Sequence, residues 1–330
     1  MTWSRASILL VLLAGLVIGR SEVRASCGAE GCPLDFRGPE AVRGVLALNV
    51  NYQFVDQNQL WNGTQPGTGT ADSHGIIEQE TRTRSMVVAA RAELTRSLAM
   101  SAMLPYILDR LHRHEFEHHP GYYIPSVWEY SGLGDLVVMA HWTPAVRLPA
   151  RASLTLQGGS KLPTGKTEVP EVNGEQPEPS ARPGTGSYDW LAGLQVSVPV
   201  VTRAFSGESV LSPITLSAMG RANGVGTENY KMGNEVMVNL AGSYPLWGWV
   251  GAIAQVNFDA HRKDDPGLTD ADPHHTGSIS VLASPGLQLR ISPLLTIFGY
   301  GQFRAYEHTN GPQLVAPLRI VVGSTCGFGI

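Results

Sequence analysis

Charge, cysteine and long apolar runs are all scarce in this 330-residue chain, and each scarcity closes off a class of protein. Only 16% of the residues are charged and the net charge is −4, with no basic cluster, so the chain lacks the electrostatic footprint of a nucleic-acid binder. Beyond Ile18 no stretch approaches the roughly 18 consecutive apolar residues that a membrane-crossing helix requires. The sequence has no Gly-x-Ser-x-Gly elbow, no phosphate-binding Gly-rich loop and no dinucleotide fingerprint, and the expectation is that it is not an enzyme. With 37 Gly and 22 Pro the chain has too many breakers for a helical bundle, while 43% hydrophobic content is too apolar for disorder.

The three cysteines are an odd number. Cys27 and Cys32 flank Gly-Ala-Glu-Gly, a spacing that lets a tight loop close as a disulfide, and a thiol or metal role is the other reading of the pair. Sequence does not choose a partner for Cys326. At the N-terminus, Arg5 precedes an apolar run from Ile8 to Ile18, and Val23-Arg24-Ala25 supplies the small residues that a signal peptidase reads. Residues 1–25 are therefore expected to be an export signal, too short in its apolar part to span a bilayer. Arg24 also disfavours acylation of Cys27, because it sits where a lipobox wants an aliphatic residue. Residues 26–40 are expected to form a periplasmic or plug segment.

From residue 41 to the end the chain alternates polar and apolar residues. Val45, Ala47, Asn49, Asn51 and Gln53 interleave with Leu46, Leu48, Val50, Tyr52 and Phe54, and Gln255, Asn257 and Asp259 interleave with Ala254, Val256 and Phe258. Period two places each set on its own face of a sheet. The polar faces carry mostly Asn, Gln, Ser and Thr, as side chains lining an enclosed wet lumen would, rather than the Lys and Glu of a soluble sandwich.

Strands are expected at 41–56, 80–93, 98–111, 133–143, 149–162, 188–203, 213–222, 231–244, 249–260, 277–291, 294–305 and 314–327. The joins between them alternate long and short, as in a transmembrane antiparallel barrel of about 12 strands with both termini on the periplasmic side. Closure is a physical requirement, since an open sheet edge in lipid would strand unpaired N–H and C=O groups. Trp142, Trp190, Trp247 and Trp249 fall near strand ends, where an interfacial aromatic girdle belongs.

Three short motifs lie between residues 132 and 189: Gly132-Leu133-Gly134-Asp135, Lys161-Leu162-Pro163-Thr164-Gly165 and Gly186-Ser187-Tyr188-Asp189. In these the chain resembles the outer-membrane transporter-like proteins named for the meta-pathway of phenol degradation, relatives of fatty-acid and aromatic-hydrocarbon channels. The resemblance implies an outer-membrane channel for small, often apolar molecules. The chain departs from many such barrels by ending Gly-Phe-Gly-Ile instead of on an aromatic residue that the assembly machinery recognises. In the second motif Pro163 removes a ladder donor, and Gly158 and Gly159 allow either a bulge or a close backbone approach. Lys161 is expected at the lumen mouth, available to anionic solutes.

The stretch His112-Arg113-His114-Glu115-Phe116-Glu117-His118-His119 formally matches a zinc-protease pattern, but no helical periodicity supports one. It reads instead as an outer loop in which His112, His114, His118 and His119 are either solvated or hold Zn²⁺ or Cu²⁺. The expected function is passive passage of small, possibly aromatic or apolar molecules across a bacterial outer membrane. The expected lumen lining is Arg91, Arg151, Gln157, Lys161, Gln195, Asn239, Gln255, Asn257 and Arg304, and the partners are outer-membrane lipid, the solute and the barrel-assembly machinery. The alternative is a barrel scaffold whose His-rich loops or Cys27–Cys32 pair bind metal or dock an electron-transfer partner.

Overall fold

A computed structural model describes residues 46–67, 76–119, 122–269 and 272–328. The expected export signal, Cys27 and Cys32 lie outside the described residues. Fifteen strands follow one another: β1 (Leu46–Gln57), β2 (Gln59–Gly63), β3 (Gln65–Pro66), β4 (Ile76–Glu93), β5 (Leu98–His119), β6 (Tyr122–Leu133), β7 (Leu136–Trp142), β8 (Ser153–Leu162), β9 (Asp189–Arg203), β10 (Ser209–Ala222), β11 (Glu235–Trp247), β12 (Val250–His261), β13 (Ser278–Ser292), β14 (Leu295–Val315) and β15 (Leu318–Phe328).

Twelve of them close a barrel. The antiparallel order runs β13-β12-β11-β10-β9-β8-β7-β5-β4-β1-β15-β14, and pairing of β14 back onto β13 seals the ring. No edge is left in the ring, so each ladder group finds its partner within it. Leu46 pairs with Phe328, so the first and last barrel strands meet at one end. At that end the joins are short, at 94–97, 143–152, 204–208, 248–249 and 293–294; at the other end they are longer at 163–188, 223–234 and 262–277, whereas the extended β14 passes into β15 through 316–317 alone.

The faces are inverted relative to a soluble protein. Val50, Val88, Met100, Leu194, Leu240, Val256, Ile297 and Val322 are exposed, while Asn49, Asn51, Gln53, Gln195, Asn239, Gln255 and Asn257 are buried. Outward apolar residues at alternate positions are what lipid solvates, and inward amides are what a lumen accommodates. Trp142, Trp247, Trp249 and Tyr244 are exposed at the short-turn end, and Tyr188 and Trp190 at the other, forming two aromatic girdles. The inward amides bond one another: Asn51 Nδ2 donates to Asn49 Oδ1 at 3.0 Å and Gln53 Nε2 to Asn51 Oδ1 at 3.0 Å. Between β12 and β13, Ser284 Oγ donates to Asn257 Oδ1 at 2.7 Å. An apolar cluster of Val137, Met139, Leu191, Met219 and Met237 also points inward. Gly159 makes room for it, since a Cβ there would fall 2.1 Å from Val138 O and 2.5 Å from Met139 Sδ. The register through Gly158 and Gly159 is regular, so the close approach, and no bulge, explains them.

The barrel strands occupy the expected stretches, with three corrections. Residues 112–119 are the far half of β5, paired with β6 into a hairpin that raises the wall above β7, where a loop was expected. Residues 306–313 belong to β14, whose register with β2 jumps between Thr309 and Gln313 around Gly311 at φ +73°. Residues 149–151 form a single 3-10 turn before β8. The period-two signal in the His-rich stretch is real but was masked by charged and histidine side chains on both faces.

Candidate functional site

The three short motifs converge on one buried ionic cluster where β7, β8 and β9 reach the long-loop end. Lys161 Nζ lies 3.0 Å from Asp135 Oδ2 and 2.9 Å from Asp189 Oδ2, and all three side chains are 1% exposed or less. Arg221, from the end of β10, donates to Asp189 Oδ2 through Nη2 at 2.8 Å and Nε at 3.0 Å. Asp135 accepts from Gly165 N at 2.9 Å and from Thr185 N and Oγ1 at 3.0 Å each. Asp189 accepts from Ser187 Oγ at 2.8 Å and Gly224 N at 3.1 Å, and Lys161 also donates to Thr185 and Ser187. A buried charge is tolerable only when paired and hydrogen-bonded, and each of these is.

The cluster fastens both ends of the segment 163–187. Gly165 and Gly184 touch where those ends cross, and a Cβ on Gly184 would come within 2.5 Å of the Gly165 backbone. Between them the chain lies against the β5–β6 hairpin. The Tyr130 hydroxyl donates to Ala181 O at 2.6 Å, Arg110 donates to the same carbonyl, and Trp128 Nε1 donates to Glu175 O at 3.3 Å. Arg182 Nε caps Pro177 O at 2.8 Å, and its guanidinium pairs with Glu228 at 2.5 Å.

The segment crosses the mouth and leaves a pocket that is open to solvent. Glu178, Ser180 and Ala181 form one wall; Ile76, Ile77, Glu78, Thr81 and His112 another; Asp272, His275, Thr276, Pro312 and Leu314 the rest. Both aliphatic and polar groups line it, as in sites for small molecules. A barrel strand needs only about 9–11 residues to cross a bilayer, so the far half of β5 stands clear of it. There burial, with help from the neighbouring His114 and Arg110, pushes His112 down to about 3, and its imidazole is neutral.

The expected lining divides. Gln195, Asn239, Gln255 and Asn257 are buried on the inward face, with Gln157 Nε2 donating to Gln195 Oε1 at 3.3 Å. Arg91 is half-buried on the inward face of β4 near the short-turn end. Arg304 packs its guanidinium 4.0 Å from the centre of the Trp61 ring and donates to Gln59 Oε1 at 2.7 Å. Arg151 does not line the lumen: it is exposed in the turn before β8 at φ +55°, because the strand starts only at Ser153. Lys161 is not free at the mouth, since two carboxylates hold it. His112 and His114 are buried on β5 rather than solvated, and His119 is exposed. Cys326 lies on β15 opposite Leu48 and forms no disulfide among the described residues.

Sequence reasoning passed over Asp135 and Asp189 as partners of Lys161, and Arg221 as a second cation on Asp189. The signal was present in part: each aspartate closes a Gly-rich motif on either side of the lysine motif. Glu78 gave no signal, because only strand register brings it opposite His114.

No protein-family model matches this chain, and no curated protein sequence matches it. Among solved structures the chain is similar to an outer membrane channel from Pseudomonas putida F1, at 13% identity and a TM-score of 0.58 over 91% of this chain and all of that one. It is also similar to the transport unit of the autotransporter AIDA-I from Escherichia coli, at 9% identity and a TM-score of 0.47 over 90% of this chain and 94% of the other. The first of these shares the barrel fold.

Proposed function

We infer that this chain is a bacterial outer-membrane channel for passive movement of small, partly apolar molecules, aromatic ones among them. The observation that carries this reading is the inverted barrel itself, greasy outside and amide-lined inside, with an open pocket at its mouth lined by aliphatic and polar groups. The similarity to the Pseudomonas putida barrel supports it at the level of fold. In this reading residues 1–25 direct export, the short-turn end with both chain ends faces the periplasm, and the assembly machinery inserts the barrel.

Solutes dock in the mouth pocket, pass the edge of segment 163–187 and move along the inward amides of β11 and β12 beside the Met139–Met219–Met237 patch. Selectivity follows from bore and fixed lining charge. The test is flux of aromatic, fatty-acid and charged solutes into proteoliposomes holding the purified chain. Faster uptake of small aromatics than of charged solutes of equal size is expected, and vesicles no more permeable than empty ones would overturn the reading.

A further inference from the structure

Glu78 and His112, on the wall of the mouth pocket, and His114 each bring one ligand atom to within 4.8 Å of the others. They meet because of register. Glu78 pairs with His114 and Thr81 with His112, while a one-residue bulge on β4 between Glu78 and Glu80 shifts the alternation. Without that extra residue Glu78 would face outward, so the bulge re-aims a carboxylate towards two imidazoles. His112 is oriented as well: its Nδ1 lies 2.8 Å from Thr81 Oγ1, which leaves Nε2 facing Glu78 Oε2 at 3.9 Å. A ring nitrogen fixed by an outer partner, with the other nitrogen presented, is how proteins prepare histidine for a metal.

The geometry points to a divalent transition-metal site, for Zn²⁺ or Cu²⁺, with Glu78, His112 and His114 as ligands and Thr81 as the group that positions His112. Two imidazoles and a carboxylate suit these ions and not Ca²⁺ or Mg²⁺, which take oxygen shells. Ligand atoms around tetrahedral zinc lie about 3.3 Å apart, so the set draws in on binding, and the Glu78 side chain, a third of which is solvent-exposed, has room to move. Glu78 and His112 line the pocket, so the fourth position faces open space where water or a solute group binds. The nearby cation of Arg110 is engaged elsewhere, donating to Thr83 Oγ1 at 3.0 Å and to the Ala181 carbonyl. The site stands whether or not the barrel conducts solute.

Trp128 supplies a readout, since its ring centre is 5.5 Å from that of His112 and 4.7 Å from that of His114. Purified full-length protein in detergent, stripped with EDTA, is titrated with ZnCl₂ alone by calorimetry and with CuCl₂ alone by fluorescence. One Zn²⁺ per chain is expected, with Cu²⁺ quenching that EDTA reverses and that shrinks in Trp128→Phe. Glu78→Gln and His114→Gln are expected to weaken Zn²⁺ binding about 100-fold, and Thr81→Val about 10-fold. Heat-modifiable gel mobility checks that each barrel is closed. The proposal is overturned by absent stoichiometric Zn²⁺ in the parent protein, or by missing Cu²⁺ quenching, which needs no ligand variant. Binding that survives Glu78→Gln and His114→Gln also overturns it, including when His118→Ala, His119→Ala or His274→Ala abolishes that binding.

Discussion

Replacing Lys161 by methionine tests whether the ionic cluster holds segment 163–187 across the mouth. The substitution keeps length and apolar stem but deletes the ammonium that lies 3.0 Å and 2.9 Å from two carboxylates. Asp189 retains Arg221 and is not stranded, whereas Asp135 loses the one cation that lies within ion-pair distance among the described residues. Breaking a buried pair from one side costs about 3–5 kcal/mol. Asp135 keeps three donors from Gly165 and Thr185, which puts the cost near the lower figure. About 3 kcal/mol corresponds to roughly 150-fold in the balance between a seated and a released segment. Those donors sit at the segment's two ends, so the protein relieves the stranded charge by letting the ends go and water in.

The assays are single-channel conductance in planar bilayers and trypsin cleavage at the exposed Lys166. Lys161→Met is expected to raise conductance and accelerate cleavage in folded barrels. Lys161→Met combined with Asp135→Asn is expected to return both towards the parent values, because a neutral amide replaces the stranded charge. Identical conductance and digestion in the parent and Lys161→Met proteins would refute the claim that the cluster seats the segment.

Three further outcomes are expected. Val88→Arg and Leu240→Arg, both on the outward face, are expected to lose about 2–4 kcal/mol of folding stability if they lie near the bilayer midplane, measured by refolding into vesicles in urea; unchanged midpoints would contradict the lipid-facing assignment. Gly184→Val, whose Cβ would meet the Gly165 backbone at 2.5 Å, is expected to release segment 163–187 and mimic Lys161→Met in the digestion assay, with the barrel itself still heat-modifiable. Glu307 lies on β14 past the span needed to cross the bilayer, and burial raises its carboxyl from 4.5 to about 7, against Arg319 and Arg304. The folded chain then binds more protons than the unfolded one between those values, so stability falls as pH rises through that window. Reversal potentials are expected to become more cation-selective from pH 5 to pH 9, and Glu307→Gln to remove the change.

Much of the barrel was legible in the order of residues, because alternation follows from strand geometry and the long–short rhythm of joins follows from where polar runs interrupt it. Asn49, Asn51 and Gln53 opposite Val50, Tyr52 and Phe54 state an inside and an outside without any knowledge of neighbours. The His112–His119 stretch failed that test because Arg113 and Glu115 on one face and His112 and His114 on the other are all polar, and the hairpin they build stands beyond lipid. Arg151 failed for a local reason, since a tight turn of Pro149, Ala150 and Arg151 interrupts the apparent strand.

What the sequence alone determined is which side of each strand meets lipid, since that needs only a residue's type and its parity. Which charges meet was decided by closure of the sheet. Asp135, Lys161 and Asp189 are far apart in sequence and lie on three different stretches, and Glu78 reaches His114 only through strand register shifted by one bulged residue. Pairing across strands depends on register and on the direction in which a loop folds back, and neither is written in any single segment of the chain.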